Sequence, residues 1–516
     1  MGCIYKIMSL LPPTGPSSIE LLVPMVGQKV NHGLPILHIM LPFQEVKVLD
    51  INSEYLGIPI DALMENAGEA AADAIMREMG TGKRIAVACG VGNNAGDGFV
   101  AARNLMRDNQ VVVVLASPPA EIRTEAARRA YERVKHIASS SVGIDYSKYD
   151  IVVDALLGTG TLKEVREPYR TIINRINGSG TTIVSIDVPS GLHTDISVRP
   201  HMTVTFTDVK SGMTPENSGK IVVEDIGVPP EANRYVGPGE FVYYPTRGKE
   251  SHKGENGKVL IIGGGPFTGA PALSGLAAYR TGVDLVNVAV PERAYYVVAG
   301  YSPNIITHKL HGDFLTEDDV DHCMRLAAKS DAVLIGPGLG NDPSTMQAVR
   351  SFVSRCEIPM VIDADAIPAV GADVSVLKGK TGVITPHARE FEDLTGAPLP
   401  EEHDEREKAV KEAAAKLEFT ILAKRRIDII SDGVTTKLNR TGNAGMSVAG
   451  TGDVLAGEAV ALLSKQVSPF NSARMAAFLN GTAGDLAFQR LGYSIMATDV
   501  IEQIPDVLHR SLRKLG

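Results

Sequence analysis

The sequence predicts two consecutive α/β domains, each built on a parallel β-sheet. Short apolar, β-rich runs alternate with helical patterns in two series, one beginning at Arg84 and the other at Lys258. Such alternation is typical of βαβ units, in which a helix connects neighbouring parallel strands. Between the series, residues 227–257 are rich in proline, glycine and charge, which predicts a domain boundary near residue 247.

Length and composition agree with this organisation. A chain of 516 residues exceeds the size at which one hydrophobic core keeps growing. The net charge of −9 argues against a broad basic surface for nucleic acid, and no stretch is long and apolar enough to span a membrane. We therefore expect small-molecule substrates and neither nucleic-acid nor membrane partners. The four cysteines form no CxxC pair, which favours a reducing, cytoplasmic location over a disulfide framework. We also expect a homo-oligomer.

Residues 1–39 contain five prolines and lack the charged start and apolar core of a signal peptide. We therefore interpret them as a dispensable extension or a mis-called start, and expect the first helix to follow Met40. The predicted domains are residues 40–245 and 248–516.

The predicted elements follow in order. The first series has strands in RIAVAC, VVVVLA, DIVVDALL and TTIVSIDV, with helices at 98–107, up to about 138, and at 167–177. The second has strands in KVLIIGGG, DLVNVAV, DAVLIGPGLG, IPMVIDADAI, TGVITPH and FTILAK, before a helix-rich tail. Near-continuous apolar strands indicate sheets covered on both faces.

A glycine-rich turn, GVGNNAGDG, follows the first strand, and its backbone amides could face an anion. Gly90-x-Gly92-x-x-Ala95 loosely matches a dinucleotide fingerprint. The next strand, VVVVLASPP, ends without the acidic residue that would hold a ribose hydroxyl, so a hydride-transfer enzyme is disfavoured. Asn93, Asn94 and Asp97 either carry chemistry or only form the turn.

Two later strands end in carboxylates. DIVVD reaches Asp154, and TTIVSID reaches Asp187, just before Ser190. The carboxyl ends of parallel strands share one crevice, so these side chains and Asn94 can converge. Capping of the following helices is the alternative.

The motifs NNxGDG, D-x-L-x-G-T-G, D-x-P-S-G, TFTDVKSG and DIGVP resemble the NAD(P)H-hydrate epimerase family over residues 40–245. The resemblance implies a Rossmann-like three-layer α/β/α domain with K+ bound by Asn94, Asp154 and Ser190, and Asp187 at the reacting centre. It also implies cofactor contacts from Asn93, Asn94, Ala95, Gly96, Asp97, Gly158, Thr159, Gly160, Thr161, Leu162, Lys163, Glu164, Tyr169 and Asp187. The family usually has glycine at the position of Ala95.

Epimerising a hydroxyl-bearing ring carbon requires a bond to that carbon to break and re-form on either face, helped by a group that accepts and returns a proton. A carboxylate such as Asp187 can do this. The same fold family includes binding or scaffold modules, so a non-catalytic N-terminal domain is the alternative.

In the second series, KVLIIGGGPFTGAPALSG lacks the Gly-Lys-Ser/Thr of a P-loop. The motif AGTGDVL precedes a predicted helix at 454–463, which would aim free amides and a positive dipole end at a phosphoryl group. Asp453 is then either a catalytic base or an ordinary N-cap.

The Gly-Thr-Gly-Asp motif resembles the ribokinase-like superfamily, whose Asp acts as base. The motifs HKGENGKVLIIGG, GAPALSGLAAYRTG, GPGLG, DADAI, TPHAREF, NRTGNAGM and AGTGDVLAG resemble its NAD(P)H-hydrate dehydratase branch over residues 248–516. The resemblance implies hydrated-cofactor contacts from Ala272, Gly338, His387 and Asp453, and nucleotide contacts from Lys424, Arg425, Arg426, Ile427, Asp428 and Gly452. The family commonly has Lys-Gly where this chain has Ala423-Lys424-Arg425-Arg426.

Together the resemblances imply metabolite repair. The epimerase would interconvert the R and S forms of hydrated NADH and NADPH, and the dehydratase would restore the S form. Its hydroxyl would be phosphorylated by ADP or ATP with Mg2+, and phosphate would then be eliminated. The alternative is a vitamin or sugar kinase with a non-catalytic N-terminal nucleotide-binding module.

Overall fold

The computed structural model describes residues 40–141, 144–160 and 164–515. The extension predicted for residues 1–39 lies outside this part of the chain, as do Thr161, Leu162 and Lys163. Contacts divide the chain into two compact units. The N-terminal unit runs up to Val46 and over Ile60–Gly227, and the C-terminal unit comprises Lys47–Pro59 and Val228–Gly516.

The N-terminal unit contains a seven-stranded parallel sheet in the order β3-β2-β1-β4-β5-β6-β7. In this order the strand sequence reverses between β1 and β4, and open α/β sheets bind their ligands at such a point. The strands are β1 Arg84–Cys89, β2 Gln110–Leu115, β3 Ala138–Ser140, β4 Ile151–Ala155, β5 Thr182–Ile186, β6 Met202–Phe206 and β7 Lys220–Glu224. The last two extend the sheet beyond the final predicted strand.

Helices α1 Phe43–Tyr55, α2 Ile60–Met79, α3 Asn93–Leu105, α4 Glu125–Glu132, α5 Tyr169–Asn177 and α6 Pro215–Ser218 precede or connect these strands. Helix α3 begins five residues before its predicted start. Its two glycines lie where neighbouring elements pack closely: a methyl group at Gly98 would come within 2.5 Å of the Ala155 Cβ in the sheet, and one at Gly96 within 2.5 Å of the Met64 side chain. Asn93 and Asn94 therefore occupy the first helical turn.

The C-terminal unit contains a nine-stranded sheet in the order β10-β9-β8-β11-β12-β13-β14-β15-β16. The strands are β8 Lys258–Ile262, β9 Leu285–Val290, β10 Ile306–Lys309, β11 Ala332–Ile335, β12 Met360–Ile362, β13 Gly382–Ile384, β14 Thr420–Ala423, β15 Asp428–Ser431 and β16 Thr436–Asn439. Strand β15 runs antiparallel to both of its neighbours, β14 and β16, which the sequence pattern did not predict. The predicted fold class, two α/β units on largely parallel sheets, is confirmed.

Apolar clusters cover both faces of this second sheet. The helices are α7 Pro230–Arg234, α8 Gly269–Arg280, α9 Glu292–Tyr301, α10 Glu317–Ala327, α11 Pro343–Arg355, α12 Ala366–Gly371, α13 Ala388–Thr395, α14 His403–Leu417, α15 Thr451–Ser464, α16 Pro469–Leu491 and α17 Ala497–Arg513. Across the described ranges, none of the helices combines the length and the apolar character needed to cross a membrane.

The two units do not meet at the boundary predicted near residue 247. The C-terminal unit begins at Val228 and also includes residues 47–59. Glu240 is buried in the C-terminal unit, where its carboxylate lies 2.7 Å from Nε of Arg474. Asn52 of α1 donates to Glu240 Oε1 and accepts from the Gly239 amide. These buried polar contacts fasten both the 238–243 segment and residues 47–55 of α1 to the second unit.

Candidate functional sites

Asp154 is the most deeply buried carboxylate of the first candidate site. It ends β4 with no exposed surface and accepts hydrogen bonds from Ser185 Oγ at 2.8 Å and from the Ser190 amide at 2.9 Å. Ser190 Oγ lies 2.5 Å from its other oxygen. Burial raises the pKa of Asp154, and these donors oppose the rise. The predicted convergence of Asp154 and Ser190 is therefore observed.

Asn94 lies in the first turn of α3 and is 8 % exposed. Its side-chain Oδ1 and Nδ2 are buried, and neither has a hydrogen-bond partner among the described residues. A methyl group at Gly158, in the loop after β4, would lie 3.2 Å from the Asn94 Cβ, so this amide faces that loop. An unpaired buried amide is costly, and it suits a site that a ligand completes.

The fit to a potassium ion follows from the donor chemistry. Asn94, Asp154 and Ser190 offer amide, carboxylate and hydroxyl oxygens, which suit a hard cation. Only one of the three is a carboxylate. In the described part of the chain no cluster of three or more His, Cys, Asp or Glu side chains could hold a metal ion. The set therefore suits a monovalent cation better than a divalent one.

Asp187 follows β5 in the left-handed region, with φ of 65°, which is uncommon outside glycine. Its carboxylate lies 2.6 Å from Nζ of Lys210, a side chain that is 2 % exposed. Lys210 also donates to Thr205 Oγ1 at 2.9 Å and to the Phe206 carbonyl at 2.5 Å. The ammonium is thus fully engaged, and one of its three partners is the predicted reacting carboxylate.

Lys210 belongs to the motif TFTDVKSG, but the sequence pattern predicted no role for it. The signal available was a lysine four residues after the end of an apolar strand, where burial requires a charged partner.

Of the predicted contact residues, Gly158, Thr159, Gly160 and Glu164 lie in the loop after β4. Thr161, Leu162 and Lys163 are outside the described residues. The remaining assignments in this unit stay predictions.

Tyr169, the first residue of α5, lies beside the glycine-rich turn. A methyl group at Gly90 would be 3.3 Å from its ring and 1.9 Å from the Leu156 carbonyl oxygen, so only glycine fits there. Burial raises the pKa of Tyr169, although a hydrogen bond with the Ser117 side chain opposes the rise. Ser117 follows β2, so Tyr169 connects the ends of β2 and β4 across the turn.

The second candidate site surrounds the start of α15. The helix begins at Thr451, three residues before its predicted start, and its N-cap is Gly450 with φ of 97° and no side-chain cap. Asp453 is the third helical residue, so the N-cap alternative is wrong: glycine in the left-handed conformation already makes the turn. The free amides of this first helical turn lie beside the Asp453 carboxylate.

Lys424 lies beside the same helix start. Its Nζ is 2.8 Å from Asp363 Oδ1 and 3.7 Å from Glu390 Oε2, and a methyl group at Gly452 would be 3.7 Å from it. Thr385 Oγ1 also donates to Asp363 at 2.6 Å. Burial lowers the pKa of Lys424, but Asp363 and Glu390 outweigh this and raise it. A permanent cation therefore stands next to the candidate anion hole.

Burial and the neighbouring Asp363 raise the pKa of Asp453 to about 7, with Lys424 opposing the rise. A base whose pKa is close to the working pH is well suited to proton transfer. Asp363 and Glu390 lie within the motifs DADAI and TPHAREF, but the sequence pattern predicted no functional role for either residue. Spacing alone could not reveal that both face Lys424.

The other predicted residues are placed as follows. Ala272 is buried on α8, two positions before Ser274, whose hydroxyl donates to the Asp453 carbonyl. Gly338 has φ of 72°, and a methyl group there would lie 2.3 Å from the Phe267 carbonyl oxygen. His387 is the N-cap of α13, in a capping box with Glu390.

Residues 424–428, predicted to bind the nucleotide together, have side chains that contact different partners. Arg425 pairs with Glu401, and the Arg426 guanidinium donates to the Arg440 carbonyl. Asp428 accepts from the Arg425 amide, and burial raises its pKa to about 6. Within 424–428, the contacts therefore bring only Lys424 to Asp453, while the nucleotide roles of Arg425, Arg426, Ile427 and Asp428 stay predictions.

Taken together, the two units define a nucleotide-handling enzyme with two chemically different sites. One is lined by oxygen ligands and contains an Asp–Lys pair. The other combines a helix-start anion hole, a lysine and a carboxylate that titrates near neutrality.

Comparison with known proteins gives the same division. Residues 60–212 match a family described as YjeF-related protein N-terminus, and residues 259–506 match one described as NAD(P)H-hydrate dehydratase. A bifunctional NAD(P)H-hydrate repair enzyme from Pyrobaculum aerophilum is 44 % identical over 492 residues, covering 90 % of this chain and 97 % of that protein. One from Methanothermobacter thermautotrophicus is 41 % identical, covering 90 % and 94 %. A Bacillus subtilis ADP/ATP-dependent NAD(P)H-hydrate dehydratase structure, crystallised with ATP and Mg2+, is 27 % identical with a TM-score of 0.44, covering 53 % of this chain and 97 % of that one.

The chain belongs to the family of bifunctional NAD(P)H-hydrate repair enzymes. The predicted recognition of a repair enzyme, with small-molecule substrates, is confirmed. The vitamin or sugar kinase alternative is not supported.

Proposed function

We propose that the N-terminal unit epimerises hydrated NADH and NADPH, and that the C-terminal unit dehydrates the S epimer at the expense of ADP or ATP. If the second unit accepts a single epimer, the first unit supplies it from the other. The presence of both units in one chain supports this division of labour.

In the proposed epimerisation, Asp187 accepts the proton of the substrate hydroxyl as the bond between the hydroxyl-bearing carbon and the ring nitrogen breaks. The carbon becomes a carbonyl and the electron pair of the broken bond goes to the nitrogen. Asp187 returns the proton to the oxygen when the C–N bond re-forms on the opposite face of the carbonyl. Lys210 balances the charge of the carboxylate and fixes its direction, because its ammonium is itself held by Thr205 and Phe206. The unusual backbone conformation of Asp187 supports a functional role, since such strain is concentrated at active sites.

Asn94, Asp154 and Ser190 would hold the potassium ion. When bound, it would supply positive charge beside the glycine-rich turn, where an anionic part of the substrate would lie. The buried carboxylate of Asp154 and the unpaired amide of Asn94 support this assignment.

In the proposed dehydration, Asp453 removes the hydroxyl proton of the substrate, and the oxygen attacks the terminal phosphoryl group of the nucleotide. The products of this step are a phosphate ester and a nucleotide that is one phosphate shorter. Phosphate then leaves with the C–O electron pair and the adjacent carbon loses a proton, which restores the dihydropyridine ring. Phosphate is a far better leaving group than hydroxide, which explains the use of a nucleotide.

Lys424 and the amides around Gly452 are placed to stabilise the negative charge of the phosphoryl group in transfer. The proposed Mg2+ would arrive on the nucleotide phosphates, as it commonly does. Among the described residues, no cluster of three or more His, Cys, Asp or Glu side chains could hold a metal ion, and Asp363 is already engaged by Lys424 and Thr385. We further propose that the protein acts in the cytoplasm as a homo-oligomer.

The observation that carries the proposal is Asp453, a half-buried carboxylate with a pKa of about 7 at the start of α15, beside Lys424. The test incubates purified full-length protein with enzymatically hydrated NADH, with ADP or ATP, and follows the absorbance of intact dihydronicotinamide. Recovery of absorbance with release of one phosphate per turnover is expected. A stable phosphorylated product without recovery would contradict the proposal.

A further inference from the structure

The loop between β2 and α4, residues 116–124, carries charges that the proposed reaction does not use. Ile122 is buried and anchors it, and the Arg123 amide donates to the Val91 carbonyl at 2.8 Å. The loop is thus fixed against the glycine-rich turn that precedes α3. Its position is the end of β2, next to β1 in the sheet.

The topology assigns a direction to any dinucleotide bound here. In a sheet of this order the pyrophosphate lies at the turn after β1, and the adenosine ribose lies at the end of β2. The reacting ring then extends to the other side of the crevice, where β5 ends at Asp187. The end of β2 is therefore where the ribose of the proposed substrate would lie.

Enzymes that bind an unphosphorylated ribose at this place use an acidic residue at the strand end, whereas an arginine nearby accommodates a 2′-phosphate. Strand β2 ends in Leu115, followed by Ala116, Ser117 and Pro118, with no carboxylate. Arg123 is exposed, and within the described ranges its side chain forms no hydrogen bond or ion pair. Arg128 is different, because its guanidinium is occupied by the carbonyls of Ile122 and Arg123.

The charges of Arg123 and Glu121 both act on Tyr169, which lies against Gly90, so both side chains are near the turn. A cation that is fixed by its backbone and has no side-chain partner among the described residues is suited to binding an external anion.

We propose that Arg123 recognises the ribose 2′-phosphate of hydrated NADPH, and so gives the N-terminal unit a preference for the NADPH-derived substrate. This inference rests on the epimerase function proposed above. It concerns specificity only, because Arg123 has no part in the proton transfer at Asp187.

The test compares the full-length protein with Arg123→Gln on the separated epimers of hydrated NADPH and hydrated NADH, with interconversion followed by chromatography. The loss of a charged hydrogen-bonding group predicts a fall in kcat/KM of at least about 10-fold for the NADPH-derived substrate. The NADH-derived substrate should be turned over nearly as before. Arg123→Lys should recover part of the loss.

Two further variants sharpen the result. Arg107→Gln removes an exposed arginine at the opposite end of α3 and should leave kcat/KM unchanged for both substrates. Glu121→Gln tests whether the neighbouring carboxylate binds the ribose hydroxyls instead. A selective fall in kcat/KM for hydrated NADH in this variant would overturn the proposal. Equal losses for both substrates in Arg123→Gln would overturn it as well. A wild-type protein that epimerises neither hydrate would instead contradict the epimerase function itself.

Discussion

Lys210 and Asp187 form a nearly buried ion pair in which Nζ lies 2.6 Å from the carboxylate oxygen. Each remaining N–H of Lys210 is directed to an oxygen of β6, so the lysine cannot turn away from Asp187. The carboxylate is thereby held in one orientation at the end of β5. Such fixed orientation is what a residue that takes and returns a proton requires.

Lys210→Met should lower epimerisation by about 100-fold, because Asp187 loses its orienting partner and its charge is left unbalanced. Nucleotide-dependent dehydration of the S epimer should be unchanged. The matched control is Lys220→Met, which breaks an exposed pair with Glu78 and should leave both activities intact. A positioning role further predicts an altered pH profile of the residual epimerisation, whereas an unaltered profile and rate would remove Lys210 from the mechanism.

Asp453→Asn should lower dehydration by at least about 100-fold, since the proton acceptor is lost while the side-chain size is kept. The fold should survive because the N-cap of α15 is Gly450. Epimerisation and the melting temperature serve as controls. Turnover close to that of the parent protein would show that Asp453 is not the base.

The pH dependence of dehydration follows from the pKa of about 7 for Asp453. The base must be deprotonated, so activity should be full above this pKa and lost as the pH falls through it. Below the pKa, kcat/KM should drop by about 10-fold per pH unit. The measurement is a pH–rate profile with saturating nucleotide. A profile that stays flat down to pH 5 would contradict the assignment.

The potassium site predicts a cation effect confined to the N-terminal unit. Exchange of K+ for Li+ should slow epimerisation and leave the chemistry at Asp453 unaffected. Asn94→Ala should abolish any increase in melting temperature produced by K+, because binding to the folded state is what stabilises it. This variant removes no hydrogen bond between described residues, so the fold without K+ should be as stable as the parent.

Asp154→Asn is the complementary variant and should abolish epimerisation while sparing dehydration. Asparagine keeps an acceptor for Ser185 and Ser190, which alanine would leave unpaired. Loss of both activities without unfolding would contradict a model of two independent sites.

Glu458, on α15, is fully buried, and neither of its carboxylate oxygens has a hydrogen-bond partner among the described residues. Burial raises its pKa well above the usual value. The protonated carboxyl of Glu458 therefore contributes fully to the free energy of unfolding at a pH below its pKa in the unfolded chain. That contribution is lost as the pH rises toward its pKa in the folded protein. Glu458→Met should raise the free energy of unfolding at pH 8 by about 1 kcal/mol or more, with a smaller gain at pH 4. Thermal unfolding at both pH values measures this, and a destabilised variant at pH 8 would show that the carboxylate has a partner.

Much of the fold could be predicted because strands buried on both faces leave continuous apolar runs in the sequence. The predicted runs RIAVAC and KVLIIGGG contain β1 and β8. The start of α3 could not be predicted in this way. Glycine disfavours helix in isolation, and only the close approach of Gly98 to Ala155 explains its presence there.

The sites were predictable to different degrees. Asp154 and Ser190 stand at strand ends, so topology alone brings them together. Position after an apolar strand was the signal available for Lys210, but Asp363 and Glu390 could not be identified from spacing, because their roles come from Lys424, which lies far away in the sequence. The choice between base and N-cap for Asp453 also needed the backbone, since it depends on which residue adopts the left-handed conformation.

Residues 47–59 group with the C-terminal unit, although most of the N-terminal unit follows them in the chain. In the linear chain, Ile60–Gly227 separates the 47–59 segment from the rest of the unit that it contacts. A protein expressed from residue 228 onward would lack Asn52, so the Gly239 amide would lose its acceptor and Glu240 would lose one donor while keeping its ion pair with Arg474. During translation, residues 60–227 are therefore made after the 47–59 segment and before the residues from 228 onward with which it packs.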